Sequence, residues 1–151
     1  MLSRRGFVVG AAGLVLTSLH APWLKALAPT PITIYKSKTC GCCAKWVDHV
    51  KAAGFASKVH DDEEMDQLKA ELGVPEAVRS CHTALVGSYL IEGHVPASDI
   101  RRLLAERPKV AGLAVPGMPS GTPGMAEPGA EGDYEVVAFK LDGSTSKFAR
   151  H

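Results

Sequence analysis

The sequence predicts an α/β (α+β) domain in the order β-α-β-α-β-β-α, followed by a Gly/Pro-rich loop and an added C-terminal β-hairpin. Three observations predict it. Short β-rich runs alternate with segments of helical period, the Gly87-Ser88 pair sits between two such runs, and three cysteines crowd where the first run meets the first helix. With 151 residues, 46% of them apolar, the chain has the length of one ordinary domain. Its 17 Lys+Arg nearly cancel its 16 Asp+Glu. That balance lacks the basic field that nucleic-acid binding requires, so no nucleic-acid partner is expected.

Residues 1–28 read as an address and are set aside from the fold. Ser3-Arg4-Arg5-Gly6-Phe7 precedes an uncharged stretch from Gly6 to His20. That stretch is shorter than the roughly 20 residues of a membrane span and suits a signal-peptide core. The paired arginines followed by an aromatic resemble a twin-arginine export signal. The usual downstream lysine is missing, which leaves the general secretory route open. Ala26-Leu27-Ala28 fits the small-x-small cleavage rule, but Pro29 opposes a cut there. Cleavage after Ala26 and retention as an anchor are the alternatives, the latter being the one expected membrane contact. Without residues 1–28 the balance is 14 basic against 16 acidic, or −2. A domain of residues 29–151 can bury about two-thirds of its unfolded surface and needs no disulfide for stability. The expected compartment is the bacterial periplasm, where neighbouring thiols oxidise unless protected.

Within 29–151, Ile32–Tyr35 is the first strand. A helix follows from Ala44, with Trp46, Val47 and Val50 on one face and Gly54 as its stop. Phe55–His60 reads as the second strand. Asp61-Asp62-Glu63-Glu64 opens a helix through Leu72 with Met65, Leu68 and Leu72 on one face, the acids favouring its dipole. Thr83–Val86 and Tyr89–Glu92 make a hairpin about Gly87-Ser88. A third helix puts Ile100, Leu103 and Leu104 inward and stops before Pro108. This is the thioredoxin/glutaredoxin order. From Gly112 to Met125, seven of fourteen residues are Gly or Pro, which excludes helix and central strand. Tyr134–Leu141, Asp142-Gly143 and Ser146–Phe148 form the last hairpin.

In that order the first and fourth strands run parallel with the third antiparallel between them. One edge of the sheet then gathers Cys40-Gly41-Cys42-Cys43, Cys81-His82 and Gly93-His94. Cys40 and Cys43 form C-x-x-C at a helix N-terminus, where unpaired N–H groups and the dipole favour thiolate, the form that attacks disulfides and binds metal. Redox enzymes of this fold place a cis-proline where Cys81 stands, which weakens the disulfide-exchange reading. The adjacent Cys42-Cys43 pair does not suit a simple zinc knuckle. C-x-C-C with a distant cysteine and histidine suits thiolates bridging more than one soft ion, and soft donors favour Cu(I), with zinc as the alternative metal. The expected ligands are Cys40, Cys42, Cys43, Cys81 and His94. Cys40 and Cys43 are the catalytic pair if the site is redox-active.

His82 alternates away from Cys81 on a regular strand and reads as structural. His49 reads as a surface residue, roughly 10 Å along the helix from Cys42. Met118 and Met125 could cap Cu(I) as thioethers or pack the loop onto the sheet, packing being favoured.

Four motifs carry a resemblance. Thr39-Cys40-Gly41-Cys42-Cys43, Ser80-Cys81-His82-Thr83, Glu92-Gly93-His94-Val95-Pro96 and Gly112-Leu113-Ala114-Val115-Pro116-Gly117-Met118-Pro119 resemble the CopG-like family of exported bacterial copper-resistance proteins. The similarity spans nearly all of the chain from Ile32 onward. It implies a thioredoxin-like fold with cysteine-bound copper, and it carries Cys40, Cys42, Cys43, Cys81 and His94 over as ligands. Some members have further C-terminal cysteines, whereas this chain has none after Cys81. The expected function is periplasmic copper binding in copper resistance, alongside other periplasmic copper-handling proteins. The alternative is a thiol–disulfide or copper-ion oxidoreductase using Cys40 and Cys43.

Overall fold

The computed structural model describes residues 28–125 and 132–151; residues 1–27 of the expected export signal lie outside the described residues. The elements are β1 (Pro31–Lys36), α1 (Gly41–Ala52), β2 (Ala56–Asp61), α2 (Met65–Glu71), a 3₁₀ turn (Glu76–Val78), β3 (His82–Val86), β4 (Tyr89–Glu92), α3 (Ala97–Glu106), β5 (Gly112–Ala114), β6 (Glu135–Phe139) and β7 (Thr145–Arg150). They form a mixed α+β fold on one seven-stranded sheet in the order β2-β1-β3-β4-β5-β6-β7. β1 is parallel to β2 and antiparallel to β3, which is antiparallel to β4. β1 and β4 therefore point the same way, as expected, and their C-terminal ends share an edge with the start of β3.

Strand alternation divides the core. Ile91, Leu113 and Ala138 belong to the larger cluster, with Trp46, Val47 and Val50 of α1 and Ile100 and Leu103 of α3. Their chain neighbours Leu90, Ala114 and Phe139 belong to a second cluster with Val74 and Val78, which follow α2. Helices thus cover both faces.

Two expectations need correction. The segment after Ala111 is not all loop: Gly112–Ala114 is an interior strand, parallel to β4 and antiparallel to β6. Its Gly/Pro content misleads because Gly112 serves the sheet by having no side chain. A Cβ there would stand 1.8 Å from the Leu90 carbonyl oxygen. The acidic run does not open the second helix either. Asp61 ends β2, paired with Lys36, and the Asp62 carboxylate accepts the Glu64 N–H at 2.8 Å, a local turn that delays the helix to Met65. Met65, Leu68 and Leu72 do share the less exposed face of that segment, but the one fully buried side chain of the helix is Lys69. The C-terminal hairpin is present, with a register shift at Val136/Val137, and it continues the sheet from β5.

Candidate metal and thiol site

Local sequence chemistry places each arm of the site. Cys40 is the N-cap of α1, and its sulfur accepts the Cys43 N–H at 3.4 Å, much as a Ser or Asp oxygen would. Gly41-Cys42-Cys43 then forms the first helical turn. Cys43 is buried, whereas Cys42 and Cys81 are partly exposed. Cys40 and Cys43 are joined in a disulfide, leaving Cys42 and Cys81 as free thiols. The Cys40 and Cys42 sulfurs lie 3.5 Å apart.

Two ties hold the β4–α3 connection, and with it His94, against α1. The Trp46 indole N–H donates to the Val95 carbonyl at 2.8 Å. His49 Nε2 accepts the Ala97 N–H at 3.1 Å, occupying one of the unpaired donors at the start of α3. His49 is therefore a half-buried cap rather than a surface residue, because the loop after β4 crosses its helix face. Burial holds its pKa below the ordinary histidine value.

Cys81 lies one residue before β3, fixed from behind. The Ser80 N–H donates to Glu92 Oε1 at 2.6 Å, and the Ser80 hydroxyl donates to the Gly117 carbonyl at 2.6 Å. Glu92 in turn pairs with Lys69 and accepts from the Thr83 hydroxyl at 2.7 Å, while Lys69 also donates to Thr83 at 2.8 Å. Burial pushes the Glu92 carboxyl up, opposed by the Lys69 charge and by these donors. The network was not expected from the sequence. Its available signal was a carboxylate ending the otherwise apolar run Tyr89-Leu90-Ile91.

Two overlapping groups of donors result. The side-chain donors of Cys40, Cys42, Cys43 and Cys81 all lie within 4.8 Å of one another, and so do those of Cys43, Cys81, His82 and His94. All five expected ligand residues are thus brought together. Cys81 Sγ stands 3.1 Å from His94 Nε2 and 3.4 Å from His82 Nδ1. His82 departs from expectation: it is fully buried beside Cys81, its ring 4.3 Å from that of Trp46. Pleat alternation did not apply, because Cys81 stands outside the regular strand.

Burial pushes the Cys81 thiol up to about 11, with the nearby Cys42 adding to the rise. Burial holds both imidazoles below the ordinary histidine value, His82 well below it with the His94 and Lys69 charges adding to the effect. Pro123 offers its carbonyl to His94 Nδ1 at 2.7 Å. A carbonyl only accepts, so Nδ1 carries the proton and Nε2 turns its lone pair to Cys81. The Gly/Pro loop is therefore part of the site's wall. Gly124 shows how tightly it lies there. Its φ is +89°, and a Cβ on it would come within 2.8 Å of Trp46 N, 2.9 Å of the Cys42 carbonyl and 3.3 Å of His94 Nδ1. Met118, by contrast, is 54% exposed. Met125 is half-buried within the loop.

No helix among the described residues is long and apolar enough to cross a membrane. Residues 78–125 match a family described as a protein of unknown function, DUF411. No curated protein sequence matches the chain. Two solved structures do, those of copper resistance protein CopG in its form 1 and form 2. Each is 41% identical, with a TM-score of 0.75 over 82% of this chain and 98% of the other.

Proposed function

The chain belongs to the CopG-like family, and from that premise we propose that it is an exported copper-binding protein of copper resistance. It holds Cu(I) through Cys40, Cys42, Cys43 and Cys81, with His94 beside them. The observation that carries this reading is the mutual approach of four sulfurs to within 4.8 Å, joined from two segments some forty residues apart. Thiolates are soft, low-coordinate donors able to bridge, which suits Cu(I) better than hard or strictly octahedral ions. A Cys81 thiol with a raised pKa still ligates, because coordination by a metal deprotonates it outright.

In this reading residues 29–151 form the metal-binding domain, and residues 1–28 address it through twin-arginine export to the periplasm. The thioredoxin-like character rests on the order of β1 to α3 and on the C-x-x-C opening α1. Other periplasmic copper-handling proteins are the partners this role requires. Loading all four sulfurs needs Cys40 and Cys43 reduced, so the disulfide form is the unloaded one.

The test is copper content with parallel thiol titration after anaerobic Cu(I) reconstitution of the reduced chain. More than one copper per chain with all four thiols protected is the expected result. No bound copper with four free thiols would overturn the reading.

The Cys40–Cys43 disulfide at a helix N-terminus favours a second reading, a thiol–disulfide or copper-ion oxidoreductase. Closing that bond releases two electrons and two protons. These reduce two Cu(II) to Cu(I), or one partner disulfide to two thiols. Cys40→Ser and Cys43→Ser should then abolish both thiol exchange and copper-redox turnover, and unchanged rates in both variants would remove it.

A further inference from the structure

β2 is an edge of the sheet, with β1 as its one neighbouring strand among the described residues. The Ala56 N–H donates to the Thr30 carbonyl at 2.8 Å, and the Asp62 N–H to the Lys36 carbonyl at 2.9 Å. Backbone groups alternate along a strand, so Ala56, Lys58 and His60 turn theirs to β1, while Ser57, Val59 and Asp61 turn theirs outward. We propose that this edge pairs antiparallel with β2 of a second copy of the chain, about a two-fold axis at Val59. One sheet then runs through both chains.

The strand is self-complementary in that register. A two-fold axis normal to the sheet keeps each residue on its own face, so only residues of one parity meet across it. Centring it on Val59 pairs all three outward residues, Val59 with Val59 and Ser57 with Asp61 in both directions. Side chains agree with this. Val59 is one of the exposed large apolar residues. Ser57 Oγ is buried without a hydrogen-bond partner among the described residues, and the register sets the Asp61 carboxylate of the second copy opposite Ser57. Past the strand, the same register carries the exposed Glu63 and Glu64 toward Phe55 and Gly54 of the second copy. Arg101 lies there, its guanidinium bonded to the Ala53 carbonyl and 5.5 Å over the Phe55 ring. The acidic end of each strand thus meets a cation of the other, twice by symmetry.

The opposite edge is guarded. β7 pairs with β6 through a register shift at Val136/Val137 and carries Lys147 and Arg150, and such irregularities and charges discourage pairing at an edge. β2 pairs with β1 in unbroken register and holds no proline. Because β2 is parallel to β1, whose C-terminal end leads to Cys40, antiparallel pairing sends the two thiol sites to opposite ends of the dimer. Both stay open, so the inference is independent of the copper reading.

Strand pairing buries an area at the low end for specific interfaces, and the expected dimer is weak and concentration-dependent. The experiment is sedimentation equilibrium of the full chain from about 1 µM to about 1 mM, in reducing buffer so that no disulfide links two chains. Amide exchange is followed by NMR in dilute and concentrated samples. The mass should rise from that of one chain toward that of two, with exchange slowing at Ser57, Val59 and Asp61 but not at Lys58 or His60. Val59→Lys sets two lysines across the axis and should weaken association at least about tenfold. Arg101→Glu should weaken it roughly fivefold, and Arg101→Glu combined with Glu64→Lys should restore it. Circular dichroism checks that each variant is folded, and the wild-type measurements stand without any variant. A chain that stays monomeric throughout overturns the proposal. So does association that Val59→Lys leaves intact, or protection of the three outward amides already in the monomer, which would assign the edge to another segment of the chain.

Discussion

Lys69 and Glu92 are both buried, and each is the other's main reason for being tolerated. Removing one partner of such a pair leaves an uncompensated charge in the interior. Lys69→Ala is therefore expected to cost about 3–5 kcal/mol in urea unfolding. Replacing the whole network by packed apolar groups would cost far less, so the pair serves position more than stability. Because Glu92 also holds the Ser80 N–H, Glu92→Gln should loosen Cys81 and lower Cu(I) occupancy in folded protein. His49 gives a pH signature at the same scale. Its neutral Nε2 accepts the Ala97 N–H, and burial lowers its pKa below the ordinary 6.5. The unfolded chain therefore takes up the proton first, so this contribution is intact above pH 6.5 and is lost as the pH falls through 6.5 toward the folded-state value. The urea midpoint should drop from pH 7.5 to 5.5 by more in the wild type than in His49→Gln, whose amide cannot titrate. Equal drops would show that the cap does not titrate.

Among the elements, the Gly112–Met125 segment does two jobs that its composition conceals. Its first three residues are a sheet strand, and its later part closes over His94 and the first turn of α1. Gly124 is the point of closest approach, in a left-handed conformation that side chains avoid. Gly124→Val should lift the loop, break the Pro123–His94 bond and free the imidazole. The measurable outcome is a His94 ring signal, by NMR, that titrates nearer the ordinary histidine value while the fold persists. An unchanged titration would mean that the loop does not set the environment of this ring. α3 is also held by the chain's last residues, with Arg102 stacked 3.9 Å over the Phe148 ring of β7 and Asp99 in its first turn bonded to His151 at 2.7 Å.

At the scale of the whole molecule, the C-terminal hairpin completes both halves of the core. Tyr134, Val136 and Ala138 belong to the cluster under α1 and α3, and Phe139 belongs to the other. Deleting residues 133–151 would expose β5 as an edge and open both clusters. The expected outcome is loss of cooperative thermal unfolding and aggregation, and a truncated chain that melts like the whole would show the hairpin to be an appendage.

Much of this was legible in the chain itself. Strand and helix periods, the Gly87-Ser88 turn and the three clustered cysteines are local signals. Together with the thioredoxin/glutaredoxin order of elements they bring Cys40, Cys42, Cys43, Cys81 and His94 to one edge. What escaped was set by partners distant in sequence. Gly112 reads as a loop breaker until Leu90 is seen pressing against it, and nothing local marks Lys69 for burial opposite Glu92. His82 lies beside Cys81 and not opposite it because the pleat begins only after Cys81. The sequence by itself determined the order of elements from β1 to α3 and which cysteines are the candidate sulfur donors, since both depend on short-range pattern. Only the tertiary structure decided which imidazoles face the thiols and which charges are buried, because those depend on the free energy of contacts between segments that the chain keeps far apart.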